Sequence, residues 1–318
     1  MVECLPAMSE FGTGQVTLFT AATASQQKRP TEHEIRKWQD RLDSYAARVL
    51  DSANVQVATK VDYNANIPVP QRILNAARNA GAGYIIIANR GQRKLREVLL
   101  GSTVTALLQQ TDLPVFLIKL RLDREAGESV GSSDSGDSGD GGNSGNSGDG
   151  LTLRCTTSCH DALEHILYPT DFSDTARIAF DVLQRLAGGP SKRITLFHVQ
   201  ASGKVDLTNA AQLEKFNRID RERLETLSRE LRDHTRVDVD IALGQGPAAR
   251  LIVDKARSIK STLIVMGSQG RGYISDLFLG GVTYHVLRNT PVPVLVIPAR
   301  RLSTRGNDPA MPGITSNE

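Results

Sequence analysis

The chain has little of what marks the specialised protein classes. Its 318 residues include three cysteines, Cys4, Cys155 and Cys159. A small, odd set like this is not a disulfide framework. No apolar run approaches the ~20 residues that cross a bilayer, so no membrane partner is expected. Aromatic residues make up 5% and tryptophan occurs once. Neither sign of charge dominates, and the net charge is +3. That lacks the basic stripe of a nucleic-acid surface, so no nucleic-acid partner is expected. Met1-Val2-Glu3-Cys4-Leu5-Pro6 shows no basic region leading into an apolar stretch. The expected location is therefore the cytoplasm. What remains is 40% hydrophobic and 23% charged, with length enough for two cores.

Two copies of one pattern account for that length. Ile85-Ile86-Ile87-Ala88-Asn89-Arg90-Gly91 leads to Leu99-Leu100-Gly101-Ser102 and on to Leu113-Pro114-Val115-Phe116-Leu117-Ile118. Without a gap, and 179 residues later, Ile264-Val265-Met266-Gly267-Ser268-Gln269-Gly270 leads to Phe278-Leu279-Gly280-Gly281 and Val292-Pro293-Val294-Leu295-Val296-Ile297. A repeat of this length means two copies of one domain. Between them, Gly127–Gly150 is almost only Gly, Ser, Asp and Asn. Such a tether cannot form a core and spans ~25–30 Å as flexible coil.

The second copy is complete. His165–Pro169 reads as a strand, with Ser173 as cap of a helix carrying Ala176, Ala179, Phe180, Leu183 and Leu186. Strands follow at Ile194–Val199, Val237–Ile241, Thr262–Met266 and Val292–Ile297, with helices at about Asn209–Asp233, from Pro247 to Ile259, and at Gly281–Asn289. This alternation predicts an α/β fold with an open parallel sheet, whose ligands bind beyond the strands' carboxyl ends. The first copy begins late. Val16–Thr20 matches the strand at Ile194, and upstream only Ala7–Gly12 remains, resembling the tail of a helix. The remaining elements are a helix at Glu32–Leu50, a strand at Val55–Val61 and a helix at Val69–Ala80.

The central motif is Gly267-x2-Gly270-x9-Gly280. Glycines remove Cβ atoms where a phosphate must approach, and a helix start offers free amides and positive potential. Here the chain resembles the universal stress protein family, whose nucleotide-binding members carry G-x2-G-x9-G-(S/T). Pro169-Thr170-Asp171-Phe172-Ser173, Leu196-Phe197-His198-Val199 and the Pro-Val-Leu-Val ending at Val296 support the resemblance. It implies a five-stranded parallel sheet in the order 3-2-1-4-5. It also implies ATP, AMP or another adenine nucleotide as cofactor, with or without Mg2+. Asp171 and Val199 would meet the adenosine, with Pro169 and Met266 completing the set. Gly267, Gly270, Gly280, Gly281, Val282 and Thr283 would receive the phosphates. Gly281 stands where the family has Ser or Thr, so its amide can donate but the hydroxyl contact is gone. The first copy keeps Gly91, Gly101 and Ser102, but Ala88 replaces the first glycine and the Asp turn is absent. Weak or no binding is expected there.

Other patterns carry less. Gly244-x-Gly246-x2-Ala249 resembles a dinucleotide fingerprint. The acid expected ~20 residues on is replaced by Met266-Gly267-Ser268. Cys155, Cys159, His160 and His165 match no common zinc spacing, so no metal site is expected. His198, His234 and His285 are isolated, and no catalytic set can be assembled. His198 reads as a structural histidine. The run Arg221–Asp233 reads as a solvated helix face, with a basic docking site as the alternative.

The expected organisation is an incomplete domain over 1–122, a flexible linker over 123–160, a complete domain over 161–300 and a disordered tail over 301–318. The expected function is a regulatory, non-enzymatic adenine-nucleotide-binding protein of the stress response, acting through a protein partner that the residues do not name. The alternatives are a nucleotide-free interaction or scaffold module and a slow ATPase or phosphotransferase. The two domains are expected to pair through their last strands, because Pro114 and Pro293 mark strand starts and the strands are apolar. A further homodimer stays open. Without its opening strand, the first domain would hold a gap between Val16–Thr20 and Tyr84–Ala88. The expectation is a start of translation upstream of Met1. Otherwise the two strands close up or something else fills the gap.

Overall fold

The computed structural model describes residues 14–22, 30–52, 55–89, 100–124, 151–155, 162–189, 191–200, 210–271 and 279–299. The first half holds β1 (Gln15–Ala21), α1 (Glu32–Ser52), β2 (Gln56–Asp62), α2 (Val69–Asn79), β3 (Ile85–Ala88), α3 (Ser102–Gln110) and β4 (Val115–Ile118). Two strands follow, β5 (Leu120–Arg124) and β6 (Leu151–Cys155). The second half holds β7 (His165–Thr170), α4 (Asp174–Ala187), β8 (Arg193–Gln200), α5 (Ala210–His234) and β9 (Asp238–Gln245). It ends with α6 (Ala248–Ser258), β10 (Leu263–Gly267), α7 (Gly281–Asn289) and β11 (Val294–Ile297).

The local signals act as their chemistry dictates. The Ser173 hydroxyl accepts the Ala176 amide at 3.2 Å and opens α4. Pro68 and Pro247 stand at the caps of α2 and α6, where a missing N–H does no harm. Along α4, Ala176, Ala179, Phe180, Leu183 and Leu186 form one buried stripe. In the second half the strands run β9-β8-β7-β10-β11, all parallel, which is the order 3-2-1-4-5. β11 then pairs antiparallel with β4, matching Val294 with Leu117, Leu295 with Phe116 and Val296 with Val115. β3 pairs parallel on the far side of β4, giving one seven-stranded sheet across both halves. The expected pairing through the last strands is thus present.

Each strand of that junction feeds two cores. Phe116, Ile118, Leu295 and Ile297 join one cluster with Tyr168, Phe180 and Leu196. Val115, Leu117, Val294 and Val296 join the other with Leu107, Ile264 and Val286. Alternate residues point to opposite faces, and helices cover both, so the strands read as unbroken apolar runs.

The first half lacks a counterpart of β7 among the described residues. β1 and β2 form a separate two-stranded parallel sheet, and β3 ends the large one. The two strands do not close up. The gap shows in burial. Val16, Leu18, Ile86 and Ile87 are half-exposed, whereas their repeat equivalents Ile194, Leu196, Val265 and Met266 are buried.

Two expectations need correction. The linker was expected to be coil over 123–160, but β5 and β6 pair antiparallel from Leu120–Cys155 to Arg124–Leu151. Leu-Arg-Leu-Asp-Arg and Leu-Thr-Leu-Arg-Cys alternate with period two, the strand signal. The strand expected at Val237–Ile241 continues as β9 to Gln245. Gly244 therefore lies inside a strand opposite Val199, and not in a phosphate-binding turn. Ala7–Gly12, Gly127–Gly150 and residues 301–318 lie outside the described residues.

Hydrogen exchange should expose the gap. Amides of β1 and β3 are expected to exchange faster than those of β8 and β10 in the same experiment.

Candidate functional site

The site forms where β7 and β10, neighbours in the sheet, reach their carboxyl ends. β7 ends in Pro169 and Thr170, both buried, and the chain turns through Asp171 and Phe172 to the cap Ser173. Phe172 takes φ 59°, a left-handed conformation that a bulky residue holds only under local compulsion. Its amide donates to Thr170 Oγ1 at 3.0 Å. Its ring lies 4.6 Å from the His198 ring, with the Arg223 and Arg271 guanidiniums 5.4 and 5.9 Å from its centre.

That turn aims the Asp171 carboxylate at the glycine loop. Asp171 Oδ1 accepts the Ser173 amide at 3.1 Å and Oδ2 accepts the Arg271 amide at 2.8 Å. The loop approaches so closely that a Cβ on Gly270 would sit 2.5 Å from Asp171 Oδ2. A Cβ on Gly267 would sit 2.7 Å from the Thr175 methyl on α4. Both glycines are thus required by contacts inside the protein. Beyond the loop, the Gly280 amide donates to the Ser268 carbonyl at 2.8 Å, and Thr283 Oγ1 donates to the Gly267 carbonyl at 3.0 Å. These two bonds fix the start of α7 against the end of β10. No side chain caps α7, and around Gly281 a Cβ would meet nothing within 4 Å. The start of α7 thus carries amides without a side-chain cap, and a Cβ at Gly281 has room among the described residues. Uncapped amides at a helix start suit an anion.

The remaining expected residues fall around this centre in different ways. Val282 is 41% exposed on the first turn of α7. Val199 is half-buried at the end of β8. Met266 and Pro169 are buried in the sheet, so they can line a site only from beneath. His198 is a satisfied histidine. Its Nδ1 lies 2.7 Å from the Thr170 carbonyl and its Nε2 lies 3.6 Å from Asp220 Oδ2. Gln200 Nε2 donates to the same Asp220 oxygen at 2.8 Å. Sequence reasoning missed Asp220, Gln200, Arg223 and Thr175. Only the packing of α4 and α5 on the sheet brings them in. The Tyr168 hydroxyl donates to the Ala176 carbonyl at 2.6 Å, and burial holds its pKa above the ordinary phenol range. Of the proposed metal set, Cys155 lies in β6, His165 Nε2 lies 2.9 Å from Thr195 Oγ1, and Cys159 and His160 fall outside the described residues.

The first half is built differently at the equivalent place. The Gly101 amide still donates to the Asn89 carbonyl at 3.3 Å, matching the bond at Gly280. Ala88 replaces Gly267, and its methyl fits because no helix like α4 presses there among the described residues. Gly91 lies outside the described residues. Arg72, 2% exposed, forms an ion pair from Nε to Asp62 Oδ1 at 3.0 Å. Its terminal nitrogens donate to the Asp62 and Ala22 carbonyls. Leu251 is the repeat equivalent of Arg72, and Gly244 pairs with Val199 as Asp62 does with Ala21. A charged pair thus closes the strand ends in the first half, where the second has an apolar contact.

Known proteins share this architecture. The profile of the universal stress protein family matches residues 15–119 and 162–298. The chain belongs to the universal stress protein family. The universal stress protein MJ0577 of Methanocaldococcus jannaschii is 30% identical over 151 residues, covering 42% of this chain and 93% of that protein. A universal stress protein of Thermus aquaticus is 41% identical over 58 residues, 18% of this chain and 42% of its own. Among solved structures, a universal stress protein from Archaeoglobus fulgidus aligns over 93% of this chain and 90% of its own, at a TM-score of 0.57 and 17% identity. That likeness concerns the fold.

Two sets of variants test the geometry. Gly270→Ala should destabilise the protein by about 1–3 kcal/mol through overpacking against Asp171. Gly281→Ala should be neutral or stabilise by up to about 1 kcal/mol. Denaturant midpoints separate the two. Asp62→Ala should cost about 1.5–3 kcal/mol, the worth of a hydrogen bond to a charged group, and the same titration reads it.

Proposed function

We propose that this universal stress protein is a cytoplasmic regulatory protein that binds an adenine nucleotide, ATP or AMP, in its second half. One observation carries the reading. The Asp171 carboxylate, the loop 267–270 and the uncapped start of α7 are gathered by hydrogen bonds at the carboxyl ends of two adjacent strands. Strand ends of this kind are where ligands of open α/β sheets bind. The nucleoside would lie toward Asp171 and Val199. Its phosphates would lie on the amides from Gly281 to Thr283, with or without Mg2+.

A binding role suits the residues better than a catalytic one. Both oxygens of Asp171 already accept backbone amides, so the group is committed to holding the loop. In the first half, the pairing of buried Arg72 with the half-buried Asp62 speaks for a nucleotide-free domain that serves interaction. A nucleotide-free scaffold is the second reading for the whole chain, supported by that same pair. In the nucleotide-binding reading, occupancy of the one site would bias what the paired halves dock onto, whether a protein partner or a second copy.

Equilibrium binding of ATP, ADP and AMP to the full chain, with and without Mg2+, tests the reading. One nucleotide per chain is expected, and Gly270→Val should abolish binding. Gly281→Ser should tighten ATP by about 0.5–1.5 kcal/mol, one net hydrogen bond. Failure to retain any of the three nucleotides would leave the scaffold reading.

A further inference from the structure

Among the described residues, the junction between the halves contains a buried charged side chain. Lys119 follows β4 directly and is 3% exposed. Its ammonium donates to the carbonyl of Leu287 in the last turn of α7. A helix leaves its final carbonyls without internal partners. In α7 two of them are met from outside the helix: Leu287 by Lys119, and Asn289 by Arg257 Nη2 at 3.2 Å. A cation at this end also complements the helix dipole.

The other end of α7 is the start fixed by Gly280 and Thr283. At 9 residues, α7 spans ~13 Å between that start and the junction. The arrangement is one-sided. The repeat places Pro298 opposite Lys119 and Leu108 opposite Leu287. Proline has no side-chain donor, so the second half cannot return the contact. The half with the closed strand ends therefore supports the half with the open ones.

We propose that Lys119 is a positioning residue for nucleotide binding: through it, the first half holds α7 so that its start is presented to the phosphates. This rests on the adenine-nucleotide reading. Lys119 bonds to α7, which carries the phosphate end of the site, whereas the nucleoside end is carried by the turn after β7 and the end of β8.

The test uses the full chain and two probes, ATP and adenosine. Lys119→Met keeps most of the apolar stem and removes the donor. It is expected to weaken ATP roughly three- to tenfold and leave adenosine unchanged. Lys119→Arg, which keeps charge and donor, should stay within about twofold of the parent. If Lys119→Met yields no folded protein by circular dichroism, Lys119→Leu, which also lacks a donor, replaces it with the same expectation. Unchanged ATP affinity, or equal weakening of ATP and adenosine, overturns the proposal. If the parent binds neither probe, the nucleotide reading itself fails.

Discussion

The structure depends on three residue pairs between β4 and β11. Each strand is only four residues long, yet each sends alternate side chains into both cores. Because helices cover both faces, neither core belongs to one half alone. Without the pairing, each half would expose an apolar edge and two open faces, at about 25 cal/mol for every Å² of apolar surface left in water. The same junction sets where the linker leaves. β5 begins one residue after β4 and pairs with β6, so both ends of the tether emerge together.

Among the described residues the two halves differ by one unit, a strand and a helix, and several other differences accompany it. β7 brings Asp171, and α4 brings Thr175. Asp171 requires glycine at 270, and Thr175 requires glycine at 267. The first half has no such unit among its described residues. Ala88 is tolerated there because nothing presses on it. The strand ends are closed instead by Arg72, buried, paired with Asp62 and bonded to two carbonyls. Gly281 is different in kind. No contact among the described residues requires it to be glycine, so a Cβ there has room.

Much of the fold was legible from local chemistry. Ser173, Pro247 and the period of Ala176, Ala179, Phe180, Leu183 and Leu186 placed helix starts and faces where they occur. The repeat located the last strands and their pairing. The reading failed where the signal was short or interrupted. The five-residue alternations of β5 and β6 stand beside a long Gly/Ser tract and are too short to mark strands by themselves. The alternation of Val237–Ile241 gives no sign that the strand runs on to Gln245, which the pairing with β8 decides.

For the site, the division is sharper. The sequence by itself determined the family pattern, the spacing of the glycines, the Asp turn and the absence of that turn in the first half. These lie within single strands, turns and helix starts, where neighbours along the chain decide the outcome. Only the tertiary structure decided that Asp171 holds the loop through the Arg271 amide, 100 residues away. It also decided that Phe172 is held by His198, Arg223 and Arg271, and that Lys119 reaches Leu287 across the junction. The physical reason is range. A cap or a strand period is a property of a few consecutive residues. A carboxylate on an amide, or an ammonium on a carbonyl, depends on surfaces that meet only once the sheet has assembled.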